Sequence, residues 1–263
     1  MAGSMLEIIP LPAFDDNYIW LLRTPASNDV VAVDPGDETP LLDWLKSHGA
    51  RLAAILITHH HYDHVGGLPE LTAAYPGIPV YGPAGNKIAG VTHPVGEGDE
   101  ISLDSLGARF TVMEVPGHTA GHIAYYGEDA LFCGDTLFAG GCGRVFDGTF
   151  EQLSDSLQRI SRLPTQTRIY CAHEYTLANL GFAAWVEPES AAVAGRLQRE
   201  KARRDLGEAT VPSLLSLELA TNPFLRTAET AVIAAAEKAA GHALANRREV
   251  FAALRRWKDQ AYD

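Results

Sequence analysis

Residues 55–67, ILITHHHYDHVGG, place four metal-ligand side chains, His59, His61, Asp63 and His64, within six positions at the end of an apolar run. Imidazole and carboxylate together suit several divalent ions. Ile55 to Ile57 read as a buried strand running into a polar turn. Side chains alternate along an extended segment, so His59 and His61 point one way and His60 the other. By that alternation His60 supports the structure or a ligand and is not itself one. Beyond His61 the chain must turn, and Asp63 with His64 can address a second point beside the first. Gly66 and Gly67 are expected to let the backbone close that turn before a helix begins. A solvated His-rich loop would have no reason to interleave Asp at this spacing, and the pattern points to metal binding.

Three more groups of the same kind follow apolar runs downstream. His118 follows FTVMEV in VPGHTAGH, Asp135 follows ALFCG in GDTLF, and His173 follows RIYCA in AHEYT. Taken singly, a His after a strand is more often a surface or cap residue, and an Asp in a Gly-Asp-Thr turn is usually a turn former. The repetition is what matters, because side chains leaving the ends of different strands can converge at one sheet edge. Five His and two Asp suffice for two metals sharing one carboxylate. His122 reads as a packing or hydrogen-bonding residue of the next strand.

The elements that must position these groups are legible in outline. Residues 5–13, 18–23 and 30–34 read as strands, separated by Asp/Asn/Gly punctuation. TPLLDWLKSHGA opens a helix, with Thr39 expected as cap and Pro40 in its first turn. A helix near 67–75, the strand IPVYG, a hairpin over 99–114 turning near Gly107, and a second hairpin in IAYYGEDALFCGD follow. A helix at about 150–162 and the strand TRIYCAH complete this region. Strands that come first in runs and then alternate with helices favour two sheets with helices outside over a doubly wound parallel sheet. After His173 the texture changes to Ala, Leu, Arg and Glu. Residues 176–206 and 227–258 read as helices, interrupted by Pro188 and by PSLLSLELATNPFLR. The expected division is a metal-binding domain over 5–174 and a small, mainly helical domain over 175–263.

Composition narrows the partners. The net charge of −12 argues against a nucleic-acid groove. It is concentrated in residues 1–174, which hold 22 Asp/Glu against 9 Lys/Arg, whereas residues 175–263 hold 11 against 12 and could anchor an anionic ligand. No run approaches the roughly 18 apolar residues of a membrane span, and no basic-then-apolar leader opens the chain. The residues MAGS ahead of Met5 read as an appended stretch outside the fold. Cys133, Cys142 and Cys171 form no CxxC, and two lie in apolar strand-like runs, which points to buried free thiols and a reducing cytoplasm.

The chain closely resembles the metallo-β-lactamase superfamily, whose signature THHHYDHVGG matches in form, and within it the glyoxalase II family, the hydroxyacylglutathione hydrolases. The segments that carry the resemblance are DNYIWLL, AVDPGD, THHHYDHVGG, PGHTAGHIAYY, FCGDTLFAGGCGR, AHEYTLANL, NPFLR and the terminal RRWKDQ. It implies an α/β, four-layer αβ/βα sandwich with a small C-terminal helical domain. It implies one metal held by His59, His61 and His118, a second by Asp63, His64 and His173, and Asp135 bridging. Zn is the first expectation for both ions, with Fe or Mn as alternatives. Glutathione contacts are implied from the GCGR loop, from Tyr175 and from the tail, at positions that here hold Arg144, Phe146, Tyr175, Arg255 and Lys258. Some members carry Lys and Tyr where this chain has Arg144 and Phe146. Arg keeps the pairing with a carboxylate, while Phe loses a hydroxyl.

The implied reaction is hydrolysis of S-2-hydroxyacylglutathione, with S-D-lactoylglutathione as first expectation, to glutathione and a 2-hydroxy acid. A metal-bridging hydroxide is the implied nucleophile, since bound water can have its pKa lowered to about 7. Asp63 is expected to assist as a base and Asp135 to organise both ions. A thiolate with a reference pKa of about 8.5 leaves without a dedicated acid. The partners implied are a small glutathione thioester, with no nucleic acid and no membrane, for a monomeric enzyme. The rival readings are a persulfide dioxygenase with a single iron, and a metal-bound binding module without activity. The complete second ligand set and residues 176–258 speak against the first, and a turnover assay separates the second.

Overall fold

The structure is a computed structural model and describes residues 6–262. The MAGS stretch, the first residue of the expected opening strand and Asp263 lie outside the described residues. By their internal contacts the described residues form two compact units, residues 6–114 with 121–134, and residues 115–120 with 135–262.

The first unit opens with β1 (Glu7–Ala13), β2 (Asn17–Arg23) and β3 (Asp29–Val33), then α1 (Glu38–His48), β4 (Arg51–Leu56), α2 (Tyr62–Val65) and α3 (Leu68–Ala74). It continues through β5 (Val80–Pro83), β6 (His93–Val95), β7 (Glu100–Leu103), β8 (Ala108–Glu114), β9 (Ile123–Gly127) and β10 (Ala130–Gly134). β1 to β6 form one sheet in sequence order, antiparallel from β1 to β3 and parallel from β3 to β6. The near-continuous burial of β2, β3 and the end of β4 suits strands covered on both faces. Ile19, Leu21, Val30, Ala32, Ile55, Ile57 and Val80 pack with Leu41 and Leu45 of α1 and with Leu68 and Leu71 of the α3 region. Full burial of each such leucine contributes about 1.5–3 kcal/mol. β7 to β10 form an antiparallel meander, in which Ala108, Phe110 and Val112 alternate inward along β8.

The cap of α1 departs from the sequence expectation. Asp37, in extended backbone, accepts the Thr39 amide, so Asp37 and not Thr39 begins the helix. Gly66 and Gly67 also serve a different end from the one expected. Both have right-handed helical backbone, so neither supplies an unusual turn. They are small because the 35–37 loop lies against them: a Cβ on Gly66 would sit 2.5 Å from the Gly36 carbonyl oxygen, and one on Gly36 would sit 1.9 Å from that of Asp63.

The second unit contains the two-stranded ribbon β11 (Leu137–Phe138) and β12 (Gly141–Cys142), then α4 (Phe150–Ile160) and β13 (Arg168–Cys171). After these come α5 (Thr176–Val186), α6 (Ala191–Asp205), β14 (Ser213–Leu214) antiparallel to β13, α7 (Leu215–Thr221), α8 (Thr230–Ala240) and α9 (Arg247–Ala261). Thr149 and Gln152 close a reciprocal capping box at the start of α4. Pro188 falls between α5 and α6, as expected of a residue that cannot continue a helix. Among the described residues no helix is long and apolar enough to cross a membrane.

Candidate metal centre

In the first unit the parallel pairing of β3 and β4 brings two strand ends side by side. The Asp34 amide donates to the Leu56 carbonyl at 2.9 Å, extending the ladder by one residue and setting Asp34 beside Thr58. Asp34 is buried and lies in the left-handed region at φ 51°, a conformation uncommon outside Gly, Asn and Asp and one that clusters at functional sites. Its carboxylate accepts the Thr58 amide at 2.8 Å, the Thr58 hydroxyl at 2.7 Å and His64 Nδ1 at 3.0 Å.

These bonds fix proton positions. A carboxylate facing Nδ1 only accepts, so His64 carries its proton on Nδ1 and presents the Nε2 lone pair. Thr58 Oγ1 spends its proton on Asp34, so it accepts from His59 Nδ1 at 3.1 Å, and His59 likewise presents Nε2. His59 Nε2 then lies 3.1 Å from His61 Nδ1, and His64 Nε2 lies 3.4 Å from Asp63 Oδ2. Asn17 donates to that same Asp63 oxygen at 3.0 Å. His60 is turned to Asn86, which meets its Nδ1 at 2.9 Å. Buried His122 stacks on His59 with ring centroids 4.5 Å apart and interacts through Nδ1 with the Ile123 carbonyl. Below the cluster, Tyr125 donates to the Ile57 carbonyl at 2.7 Å. Burial, with Asp34 nearby, pushes its phenol well above its ordinary pKa and keeps it a donor.

In the second unit His118 and His173 meet one carboxylate. Asp135 Oδ2 lies 3.5 Å from His118 Nε2, and Asp135 Oδ1 lies 3.3 Å from His173 Nε2. His118 donates from Nδ1 to the Arg144 carbonyl at 2.8 Å, which again leaves Nε2 as the ligand atom. Tyr175 stacks on His173 at 4.7 Å with rings 4° from parallel, and Phe138 meets both rings edge-on. Phe146 sets its ring edge-on to His118 at 5.2 Å and is 65% exposed.

The donor set can be tested against metal geometry. Ligand bonds of about 2.0–2.2 Å imply ligand-to-ligand edges of about 2.8–3.6 Å, the short end octahedral and the long end tetrahedral. The four separations above, 3.1, 3.4, 3.5 and 3.3 Å, all fall in that range. Asp34, His59 and His64 also bring ligand atoms within 4.8 Å of one another. The Asp34 oxygens are already occupied by Thr58 and His64, so Asp34 orients a ligand. The residues present fit divalent ions.

The expected glutathione contacts divide. The Arg144 side chain is 54% exposed, with Nε 3.8 Å from Asp259. Tyr175 and Phe146 also reach the surface. Arg255 and Lys258, expected as a grip for an anionic ligand or else a solvated helix face, are 1% and 5% exposed. Arg255 donates to Asp259 from Nε at 3.1 Å and to the Cys142 carbonyl from Nη1 at 3.0 Å, and its guanidinium lies over Phe224. It therefore faces the protein interior. Burial pushes the Cys142 thiol up to about 11 and that of Cys171 up to about 12, so neither is a thiolate at neutral pH. Sequence reasoning gave no role to Asp34, Thr58 or Asn17. The acid ending VVAVD was the available signal for Asp34.

Comparison with known proteins places the chain in a family. Residues 13–173 match the model of the metallo-beta-lactamase superfamily, and residues 174–261 match that of the hydroxyacylglutathione hydrolase C-terminus. The hydroxyacylglutathione hydrolase of Alkalilimnicola ehrlichii is 54% identical over 98% of this chain and 100% of its own length. That of Ectopseudomonas mendocina is 53% identical over 97% of this chain and 100% of its own. Among solved structures, ETHE1 from Myxococcus xanthus superposes with a TM-score of 0.66 over 95% of this chain and 89% of that one, and at 22% identity it shows the fold alone. TTHA1623 in a di-iron-bound form superposes with a TM-score of 0.52 at 31% identity, over 64% of this chain and 91% of that one. With its α/β fold, its paired ligand clusters and relatives matching end to end, the chain belongs to the hydroxyacylglutathione hydrolases of the metallo-β-lactamase superfamily.

Proposed function

We propose that this protein hydrolyses the thioester of S-2-hydroxyacylglutathione, with S-D-lactoylglutathione as substrate, to glutathione and D-lactate, the second step of methylglyoxal detoxification. The observation that carries the reading is the Asp135 carboxylate, with one imidazole nitrogen against each of its two oxygens. A carboxylate so placed would be shared by two ions, one beside each imidazole. In this reading His59, His61 and His118 hold one ion, Asp63, His64 and His173 hold the other, and Asp135 is shared. The di-iron form of TTHA1623 supports the pairing. Zn is the ion we propose, and the mixed nitrogen and oxygen set also suits Fe or Mn. Bound there, the ions supply Lewis acidity and, from water, a hydroxide nucleophile at neutral pH.

The chain's own residues do the rest. Asp34 and Thr58 hold the ligand nitrogens of His59 and His64 in the required tautomer. Asn17 orients Asp63, whose side chain is 38% exposed and serves as the proton acceptor. No protein nucleophile is needed, and Cys142, buried and protonated, is not one. The departing thiolate, with a reference pKa of about 8.5, requires no proton from a side chain.

Residues 5–174 carry the metals in this reading, and residues 175–263 serve the substrate. Arg144 pairs with a glutathione carboxylate, while Phe146 and Tyr175 flank it. Arg255 and Lys258 act from beneath that surface. The buried free cysteines suit a cytoplasmic enzyme, which we read as a monomer. The test is release of free thiol and D-lactate from S-D-lactoylglutathione by metal-loaded protein, beside a lactoyl thioester of a short thiol. Turnover strongly favouring the glutathione thioester is expected. No turnover of either would overturn the reading.

A further inference from the structure

A buried ion pair in the second unit has no place in the chemistry above. Arg196 on α6 and Glu218 on α7 are both fully buried, with Nη2 and Oε1 2.5 Å apart. Replacing such a pair by packed apolar residues is often neutral or stabilising, so stability alone is a weak reason for it. What the pair holds is more informative. Glu218 Oε1 also accepts the Ser213 hydroxyl at 2.6 Å, and Oε2 accepts the Gly140 amide at 2.8 Å and Asn222 Nδ2 at 3.1 Å. Arg196 Nη1 donates to Thr221 at 2.7 Å, next to Asn222.

Asn222 Nδ2 in turn donates to the Gly141 carbonyl at 2.9 Å and to that of Phe138 at 3.3 Å. Asn179 on α5 donates to the Ala139 carbonyl at 3.2 Å, and Arg255 on α9 to that of Cys142 at 3.0 Å. Each residue from 138 to 142 thus has a main-chain group held by a buried side chain of a later helix or its flank. Positions 140 and 141 require glycine: a Cβ on Gly141 would sit 2.4 Å from the Asn179 amide carbon, and Gly140 has φ 70°. The ribbon's far end returns to the ligands. The Arg144 carbonyl accepts a hydrogen bond from His118 Nδ1, and Gly143 lies so close that a Cβ there would meet the Asp135 carbonyl oxygen at 2.0 Å.

We infer that Asn222 and Asn179, backed by the Arg196–Glu218 pair, are positioning residues that set the 138–144 ribbon and thereby aim Arg144 at a glutathione carboxylate. The inference rests on the thioesterase reading. The helices that follow His173 then act on the reaction through the ribbon's backbone, and not only through side chains presented to substrate. In Asn179→Ala, loss of one neutral hydrogen bond to the ribbon should loosen Arg144 without changing any ligand or charge. The expected cost is about two- to tenfold in KM for the glutathione thioester. kcat should change less than about threefold, because the anchor contributes equally to ground and transition states.

The experiment uses the full-length, metal-loaded protein with Asn179→Ala and Asn222→Asp. The second keeps the shape of Asn222 but sets a carboxylate against Glu218 and two carbonyls. Three quantities are read: KM and kcat on S-D-lactoylglutathione, the same on a lactoyl thioester of a short thiol, and hydrogen exchange at Gly140 and Gly141. We expect a raised KM on the glutathione substrate alone, with faster exchange at both glycine amides. Unchanged KM despite faster exchange would reduce these residues to structural supports and overturn the proposal. So would equal losses on both substrates, or unchanged exchange. Should Asn222→Asp not fold, Asn179→Ala alone decides. A wild-type protein inert to both thioesters would instead overturn the underlying functional reading, while exchange would still report whether the side chains hold the ribbon.

Discussion

Asp34→Asn tests how the ligand nitrogens are aimed. Asn has the same shape and tolerates the left-handed backbone at φ 51°, so the turn itself should survive. If the remaining oxygen stays on the Thr58 amide, the new NH2 takes the place of Oδ2 and faces two former donors, the Thr58 hydroxyl and His64 Nδ1. His64 can satisfy that NH2 only by moving its proton to Nε2, which removes the lone pair that points at Asp63. A hydrogen bond to a charged group contributes about 1.5–3 kcal/mol. Loss of such an outer partner costs about ten- to a hundredfold in metal affinity, or about 1.4–2.7 kcal/mol, so two independent routes agree. Competition against a chelator should show the ion at Asp63 and His64 weakened by that factor, with the other ion less affected. Nitrogen NMR of the metal-free protein should show His64 changing from the Nδ1-protonated to the Nε2-protonated tautomer. Wild-type affinity for both ions, or an unchanged tautomer, would refute the argument.

Further outcomes follow from the same geometry. His60→Ala should keep full metal content, because its ring is turned to Asn86, whereas His61→Ala should lose metal; elemental analysis of the two variants checks this. Arg144→Ala should raise KM for the glutathione thioester about ten- to a hundredfold, the worth of a charge-assisted hydrogen bond, and leave a short-thiol thioester unaffected. The Cys142 and Cys171 thiols have pKa values raised from 9.0 to about 11 and about 12. Their contribution to stability should be fully present below about pH 9 and lost as pH rises through 11 to 12. Denaturant midpoints between pH 8 and 11 should fall less steeply in Cys171→Ala than in wild type.

What the sequence revealed, and what it hid, has physical reasons. The separate partners of His59 with His61 and of His60 with Asn86 follow from side-chain alternation in an extended segment, and local geometry of that kind is legible. Asp34 was not, because its partners lie 24 and 30 residues away and only the parallel pairing of β3 with β4 brings them together. β6 and the two-residue strands β11, β12 and β14 are too short for any periodicity to mark them. Arg255 and Lys258 share a helical stripe with Phe251 and Leu254, which the structure buries. Their charge argued for the surface, and the partners that permit burial, Asp259 and the Cys142 carbonyl for Arg255, could not be paired in advance. The Arg196–Glu218 pair is equally silent in sequence, since a lone Arg and a lone Glu on two helices look like solvated faces.

We propose that seven side chains hold two ions that share Asp135. Metal content per chain, measured with S-D-lactoylglutathione turnover on the same preparation for wild type and Asp135→Ala, tests it most directly. Two ions per chain are expected in the active wild type, with loss of both full occupancy and turnover in the variant. Full activity with one ion per chain, or an Asp135→Ala protein that keeps two ions and turns over normally, would contradict it.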